Sequence, residues 1–242
     1  MAICLGAFEA ARAGRKASTT DPTAPPAEGN AILQTSSGRF VIAMFIGLGI
    51  MGKPMAGHLI KGGHALFLHS RSGGPQELLE QGGKACYSPR EVAQNADIII
   101  TMLPDTSDVE RVLLGENGVV RGLTTGKIVV DMSSISPMET RMFAIRINEL
   151  GCDYVDAPVS GGQAGAENGK LTVMCGGEAA AFERAKPVMD SYGRAVTLMG
   201  EPGAGQLTKM VNQICIAGLV QALSEGITFA ERAGLDADLV LD

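Results

Sequence analysis

An α/β chain, with a parallel sheet covered by helices on both faces, is what this sequence predicts. Three observations carry the prediction. Short, unbroken apolar runs recur along the chain. Segments with helical spacing of apolar residues separate them. The turn Gly47-Leu48-Gly49-Ile50-Met51-Gly52 joins the first run to the first helical segment. Buried strands alternating with helices imply β-α-β units, whose crossovers lay helices on both sheet faces.

Each element has its own signal. Residues 1–39 are rich in Ala, Thr, Ser and Pro, hold no apolar period, and read as a disordered extension. Arg12, Arg15 and Lys16 there suit a transit peptide, whereas Glu9, Asp21 and Glu28 oppose one. Phe40–Ile46 is a buried-strand run ending at Gly47. Lys53–Lys61 reads as a helix stopped by Gly62-Gly63, Ala65–His69 as a strand, and Pro75–Gln81 as a helix. Ser88-Pro89-Arg90-Glu91 is a capping box with proline at the first helical position, opening a helix to about Ala96. Ile98–Leu103 is a strand closed by Pro104, and Ser107–Leu114 a helix before the turn Gly115–Gly118.

Ile128–Met132 is the next strand, and Ser136-Pro137-Met138-Glu139 a second capping box, with its helix ending near Leu150. Strands over Cys152–Asp156, Leu171–Cys175 and Val196–Met199 follow, with a helix over Ala179–Ser191. After Gly203-Ala204-Gly205, one long helix runs from Gln206 to about Ala233, and Asp236 can cap another. Its apolar positions surround much of its surface and need something to pack on. The organisation expected is an extension (1–39), a dinucleotide-binding domain (40–202), and the start of an all-α C-terminal domain (203–242) that is truncated here.

Composition narrows the function classes. With 20 basic and 26 acidic residues the net charge is −6, which disfavours a nucleic-acid partner. No run reaches the roughly 18 consecutive apolar residues of a membrane span, so no membrane partner is expected. Cys4, Cys86, Cys152, Cys175 and Cys215 are odd in number and form no CxxC pair. A reducing, cytoplasmic setting with no metal site follows, mitochondrial import through the extension being the alternative.

The glycine turn is a GxGxxG with a strand before and a helix after, the context of a Rossmann-type dinucleotide site. Gly47 permits the tight turn, Gly49 lets a pyrophosphate approach the backbone, and Gly52 lets helix and strand pack. Leu48, Ile50 and Met51 complete the phosphate-facing backbone, and the helix start favours the anion. After the second strand, Ser70, Arg71 and Ser72 stand where a carboxylate would bond the ribose of NAD. Arg71 can pair with a 2′-phosphate, so NADP(H) is expected, with NAD the alternative. Met102, Leu103, Pro104, Ser133 and Ser134 fall at strand carboxyl ends, where ligands bind in open α/β sheets. Met102 and Leu103 also suit ordinary strand core.

A second loop, Asp156-Ala157-Pro158-Val159-Ser160-Gly161-Gly162, leaves the same edge. Ser160, Gly161 and Gly162 can offer a hydroxyl and open N–H groups to a carboxylate, or form a plain loop. Lys209 lies about one turn into the long helix, with Asn212 at i+3 and Gln213 at i+4 on a shared face. Alone, Lys209 reads as a surface lysine; beside a cleft, partial desolvation suits it to proton transfer.

From about Phe40 to the end, the chain resembles the β-hydroxyacid dehydrogenases, a family including 3-hydroxyisobutyrate dehydrogenase and tartronate semialdehyde reductase. Three motifs in order carry the resemblance: Phe45–Met55, Asp156–Gly162, and Gly203–Lys209 followed by Asn212-Gln213. Leu113–Gly118 and Asp131–Pro137 look most like the tartronate semialdehyde reductase branch. The resemblance implies hydride exchange between a nicotinamide and a small β-hydroxyacid or its semialdehyde, with 3-hydroxyisobutyrate as the other substrate. It implies Lys209 as proton donor and acceptor. Ser160, Gly161, Gly162 and Ser134 would hold the substrate carboxylate, and Asn212 would orient substrate or lysine. Ser133 and Met102–Pro104 would line the nicotinamide side. Homo-oligomers are implied only where a complete helical domain is present. The sequence departs from the family at His58, where Asn is common, and at Ser70 and Arg71, where many members are acidic. A catalytically incomplete dinucleotide-binding fragment is the competing expectation.

Overall fold

The computed structural model describes residues 42–241. The expectations for the extension 1–39, and for Phe40 and Val41, lie outside these residues.

The first apolar run forms β1 (Ile42–Ile46), which lies centrally in a nine-stranded sheet. β2 (Ala65–His69) and β4 (Ile98–Thr101) flank it in parallel. β3 (Lys84–Ala85) lies outside β2, and β5 (Ile128–Asp131) and β6 (Asp153–Asp156) extend the other side. The order is β3-β2-β1-β4-β5-β6, then β8 (Leu171–Gly176) and β7 (Val159–Ser160), with β9 (Gly193–Gly200) beside β8. The chain reverses its direction of growth between β1 and β4, the switch point at which such sheets bind ligands.

Side chains alternate across a strand, so each strand feeds two cores. Ala43 and Phe45 pack with Met55 and Leu59 of α1 (Gly52–Lys61) and Phe182 and Val188 of α7 (Ala179–Met189). Met44 and Ile46 face Val92 of α3 (Pro89–Asn95), Val109 of α4 (Thr106–Leu114) and Phe143 of α5 (Pro137–Asn148). Both expected capping serines act: Ser88 accepts from the Glu91 N–H, and Ser136 from the Met138 N–H. Asp105 adds a cap not anticipated, accepting from the Asp108 N–H.

The second half departs from the expected all-parallel pattern. β8 runs antiparallel to β6 and β7, and only β9 is again parallel to β8. The reason is the length of the connection. A parallel return needs a crossover long enough to recross the sheet. Between β6 and β8 the chain forms only β7 and the six-residue α6 (Gly162–Glu167). It therefore enters β8 from the edge at which it left β6. β3, β7, α6 and a 3₁₀ turn at Val119–Arg121 carry too few residues to show a period. The remaining helix before them, α2, spans Gln76–Glu80.

The long helix, α8, spans Ala204–Arg232 and begins after Gly203, at φ +92°. Ile214, Val220 and Phe229 are among its exposed apolar residues. By length and composition α8 resembles a membrane span, with a window of mean hydropathy 1.3. Its first turn is nevertheless bonded into the sheet, as shown below. α9 (Ala237–Leu241) follows, with Asp236 accepting from the Asp238 N–H at 3.0 Å.

Candidate active site at the carboxyl edge of the sheet

Register aligns the strand ends. His69 pairs with Ile46, Ile46 with Thr101, Thr101 with Asp131, and Asp131 with Asp156. The residues that follow each end therefore emerge along one edge: Ser70–Ser72, the glycine turn, Met102–Pro104, Ser133–Ser134, and the loop from Ala157. The Gly47 N–H donates to the His69 carbonyl at 3.1 Å, and the Met102 N–H to the Ile46 carbonyl at 2.9 Å. These bonds seat the turn between β2 and β4.

The three glycines of the motif answer to different constraints. Gly47 has φ +97°, and a Cβ there would lie 2.1 Å from the Met102 carbonyl oxygen. A Cβ at Gly52 would lie 1.8 Å from the Gly47 oxygen. Both are required by the protein's own packing. A Cβ at Gly49 meets nothing within 4 Å. No packing contact explains this glycine, and open backbone there leaves room for a phosphate group. The first turn of α1 carries no acidic side chain. The turn thus fits a dinucleotide pyrophosphate in shape and in charge. Leu48 and Met51 are half-buried against the core, and Ile50 is exposed.

Ser70 and Ser72 lie beyond β2, the Ser70 hydroxyl donating to the Gly73 carbonyl. The Arg71 side chain is 80% exposed, and its guanidinium lies 3.8 Å from the Asp108 carboxylate. Arg111 holds that carboxylate more closely, at 2.7 Å. Arg71 is therefore loosely held and open to another anion.

Behind the edge lie two buried carboxylates that the sequence reading assigned no role. Asp131 is fully buried and accepts from Thr101 Oγ1 (2.8 Å), Ser133 Oγ (2.6 Å) and N (3.1 Å), and Tyr154 OH (3.1 Å). Burial raises its carboxyl above the usual range despite these donors. The Ser133 hydroxyl also accepts from the Leu103 N–H at 2.9 Å. Its side chain is thus turned inward, toward Asp131 and the Leu103 N–H. It acts on the edge by fixing Leu103. Ser134, the next residue, is exposed.

Asp156 caps α8. It accepts from the Gly203 N–H at 2.7 Å and the Gln206 N–H at 2.9 Å. Burial nonetheless lifts its carboxyl to about 6, with Asp131 adding like charge. Gly176 and Gly205 make room for this carboxylate, since a Cβ at either would lie within 3 Å of it. Gln206 completes the join: its Nε2 donates to the Ser133 carbonyl at 2.8 Å, and its Oε1 accepts from the Ile135 N–H at 3.1 Å. A carboxylate ending an apolar strand is the signal that marks Asp131 and Asp156. Gln206 lay inside a quoted motif, but nothing local shows that it is buried.

Lys209 follows Gln206 by three residues, on the same side of α8. It is half-buried, and burial pulls its amine below the usual lysine range. Among the described residues it makes no ion pair or hydrogen bond. Asn212, half-buried one turn on, contacts Gln213 at 3.4 Å. Ser160 pairs with Thr172 while Asp156 pairs with Gly176, so the Ser160-Gly161-Gly162 turn projects past the edge. Gly161 and Gly162 adopt φ +133° and +60°, which favour glycine.

This fold, with a glycine turn at its switch point, is that of a dinucleotide-binding domain. Residues 42–200 match the family described as the NAD-binding domain of 6-phosphogluconate dehydrogenase. Residues 203–242 match the NAD-binding segment of NADP-dependent 3-hydroxyisobutyrate dehydrogenase. The chain is 50% identical to 2-hydroxy-3-oxopropionate reductase of Escherichia coli, over 79% of its own length and 66% of the relative's. It is 51% identical to an uncharacterized oxidoreductase of Shewanella frigidimarina, over 82% and 69%. The solved 3-hydroxyisobutyrate dehydrogenase of Mycobacterium tuberculosis superposes with a TM-score of 0.76 at 32% identity, covering 81% of this chain and 67% of that one. The chain belongs to the β-hydroxyacid dehydrogenase family of NAD(P)-dependent oxidoreductases. It spans about two thirds of the length of the curated relatives it matches.

Proposed function

We propose that this chain serves the NADPH-dependent reduction of a short 2-hydroxy-3-oxo acid, with 2-hydroxy-3-oxopropionate as substrate and glycerate as product. In this reading residues 40–202 form the cofactor domain, and the helix from 203 on carries the proton donor. The observation that carries the proposal is the placement of Lys209. Its helix is tied to the cofactor edge by Asp156 and by Gln206, whose amide bonds the residues on either side of Ser134.

The glycine turn would hold the pyrophosphate, and Arg71 a 2′-phosphate. A nicotinamide cofactor held there would supply the hydride for the aldehyde carbon. Ser160, Gly161, Gly162 and Ser134 hold the carboxylate, which fixes the aldehyde's orientation. Lys209 gives its proton to the carbonyl oxygen as negative charge builds there, and its ammonium stabilises that charge. A lysine with a lowered proton affinity releases its proton more readily. Asn212 orients the lysine or the substrate hydroxyl. The half-identical reductase relative supports this substrate over 3-hydroxyisobutyrate.

Absorbance at 340 nm, with NADPH and 2-hydroxy-3-oxopropionate, tests the reading. Turnover is expected, and Lys209→Ala should lower it roughly 10²–10⁴-fold while NADPH binding stays within about twofold. Turnover only once a complete helical domain is appended would favour the fragment reading, and no turnover in either form would overturn the proposal. Loss of NADPH binding in Lys209→Ala would make the lysine structural.

A further inference from the structure

The turn assigned above to the substrate carboxylate is built on a weak element. α6 has six residues, too few to be stable alone. Its N-cap, Gly161, offers no side-chain hydrogen bond. At its other end the last carbonyls face outward from the helix and need donors.

The Ala164 and Gly165 carbonyls accept from the Asn168 and Lys170 N–H groups, and the Ala166 carbonyl from the Gly169 N–H at 3.3 Å. A further donor, for Ala166 and Glu167, comes from the cofactor side. His58 Nε2 lies 3.1 Å from the Ala166 carbonyl oxygen and 3.0 Å from that of Glu167. Carbonyls only accept, so Nε2 carries the proton and divides it between them. The ring is seated over Gly169, at φ +62°, where a Cβ would lie 3.2 Å from His58 Cε1. His58 stands on α1, which begins at Gly52 of the glycine turn. One imidazole thus joins the helix that starts at the cofactor turn to the helix that starts at the Ser160-Gly161-Gly162 turn.

We propose that His58 is a positioning residue that sets the Ser160–Gly162 turn against the cofactor turn, and thereby governs affinity for the substrate carboxylate. The inference rests on the proposed role of that turn. α6 is under two turns long, so movement at its end reaches its beginning. Backbone pairing of Ser160 with Thr172 fixes the start of the turn, and His58 fixes the far end of α6. Leu171, the apolar neighbour of Gly161 and Gly165, fills the space between.

The test compares the full chain with His58→Leu, which removes the donor, and His58→Gln, whose amide nitrogen can reach the Nε2 position. Hydrogen exchange at the backbone of residues 161–170 reads the bridge without any catalysis. Exchange should rise about tenfold in His58→Leu and return to within about threefold of the unaltered chain in His58→Gln. In the same variants KM for 2-hydroxy-3-oxopropionate should rise about tenfold and recover, with Kd for NADPH within about twofold. Unchanged exchange in His58→Leu, or no recovery in a folded His58→Gln, would overturn the proposal. So would an NADPH Kd that rises as much as KM. A chain that binds NADPH but reduces no semialdehyde would overturn the functional reading alone, and the exchange rates would still decide the bridge.

Discussion

Gln206, in the first turn of the long helix, is bonded through its side chain to the backbone carbonyl of Ser133, at the carboxyl end of a central strand. The same amide accepts from the Ile135 N–H, so both of its polar atoms are used in a buried setting. Gln206→Leu keeps most of the volume but strands two backbone groups. It should lower stability by roughly 2–6 kcal/mol, at about 1–3 for each of the two unmet buried groups. Urea unfolding checks this; a loss below about 1 kcal/mol would show that water replaces the amide.

The glycine turn predicts a separation of stability from binding. Gly49→Ala should leave the melting temperature nearly unchanged, because the new methyl group meets no protein atom. It should weaken NADPH binding at least tenfold, by occupying the phosphate approach. Gly52→Ala should instead destabilise the fold, since its methyl would strike the Gly47 carbonyl. Thermal melts with and without NADPH separate the two. Equal binding by Gly49→Ala would remove the pyrophosphate from this turn.

Cofactor choice turns on Arg71, which shares the Asp108 carboxylate with Arg111. An exposed pair at this distance is worth little and yields readily to a phosphate. Arg71→Asp should shift the NADPH to NADH preference by about 10–100-fold, the worth of one charge-assisted bond. Steady-state kinetics with each cofactor reads the ratio. An unchanged ratio would leave Arg71 as surface charge.

Asp156 predicts a pH dependence with a definite sign. Its folded carboxyl titrates at about 6, above the usual carboxylate range. As pH rises from about 4 to 6, the unfolded chain releases this proton first, so stability falls through that window and then levels. The contribution is about 3 kcal/mol. Asp131, also raised by burial, acts in the same direction. Comparing urea unfolding of the unaltered chain and Asp156→Asn across the window isolates Asp156. The variant should show a flatter profile, and identical profiles would refute the assignment.

Much of the cofactor side was legible in the sequence, because its signals are local. GxGxxG needs only its strand and its helix to be recognised, and Ser88 and Ser136 cap helices that their own neighbours define. The antiparallel β8 was not legible, because pairing direction depends on how far α6 reaches, and six residues carry no period. The inward hydrogen bonds of the Ser133 hydroxyl were not legible for a related reason: position at a strand end does not say which way a short side chain turns.

The order of the motifs and the spacing of apolar runs determined the α/β class, the dinucleotide turn and the candidate lysine. The class and the turn follow from short-range periodicity and backbone sterics, which a linear chain states directly; the lysine was singled out only by the resemblance its motif carries. Tertiary structure alone decided that Asp156 and Gln206 bind the lysine's helix to the sheet, and that His58 reaches the end of α6. Those bonds join residues from 47 to 109 positions apart. For Asp156 and Gln206, the burial that makes such polar contacts strong and selective exists only once the chain has folded.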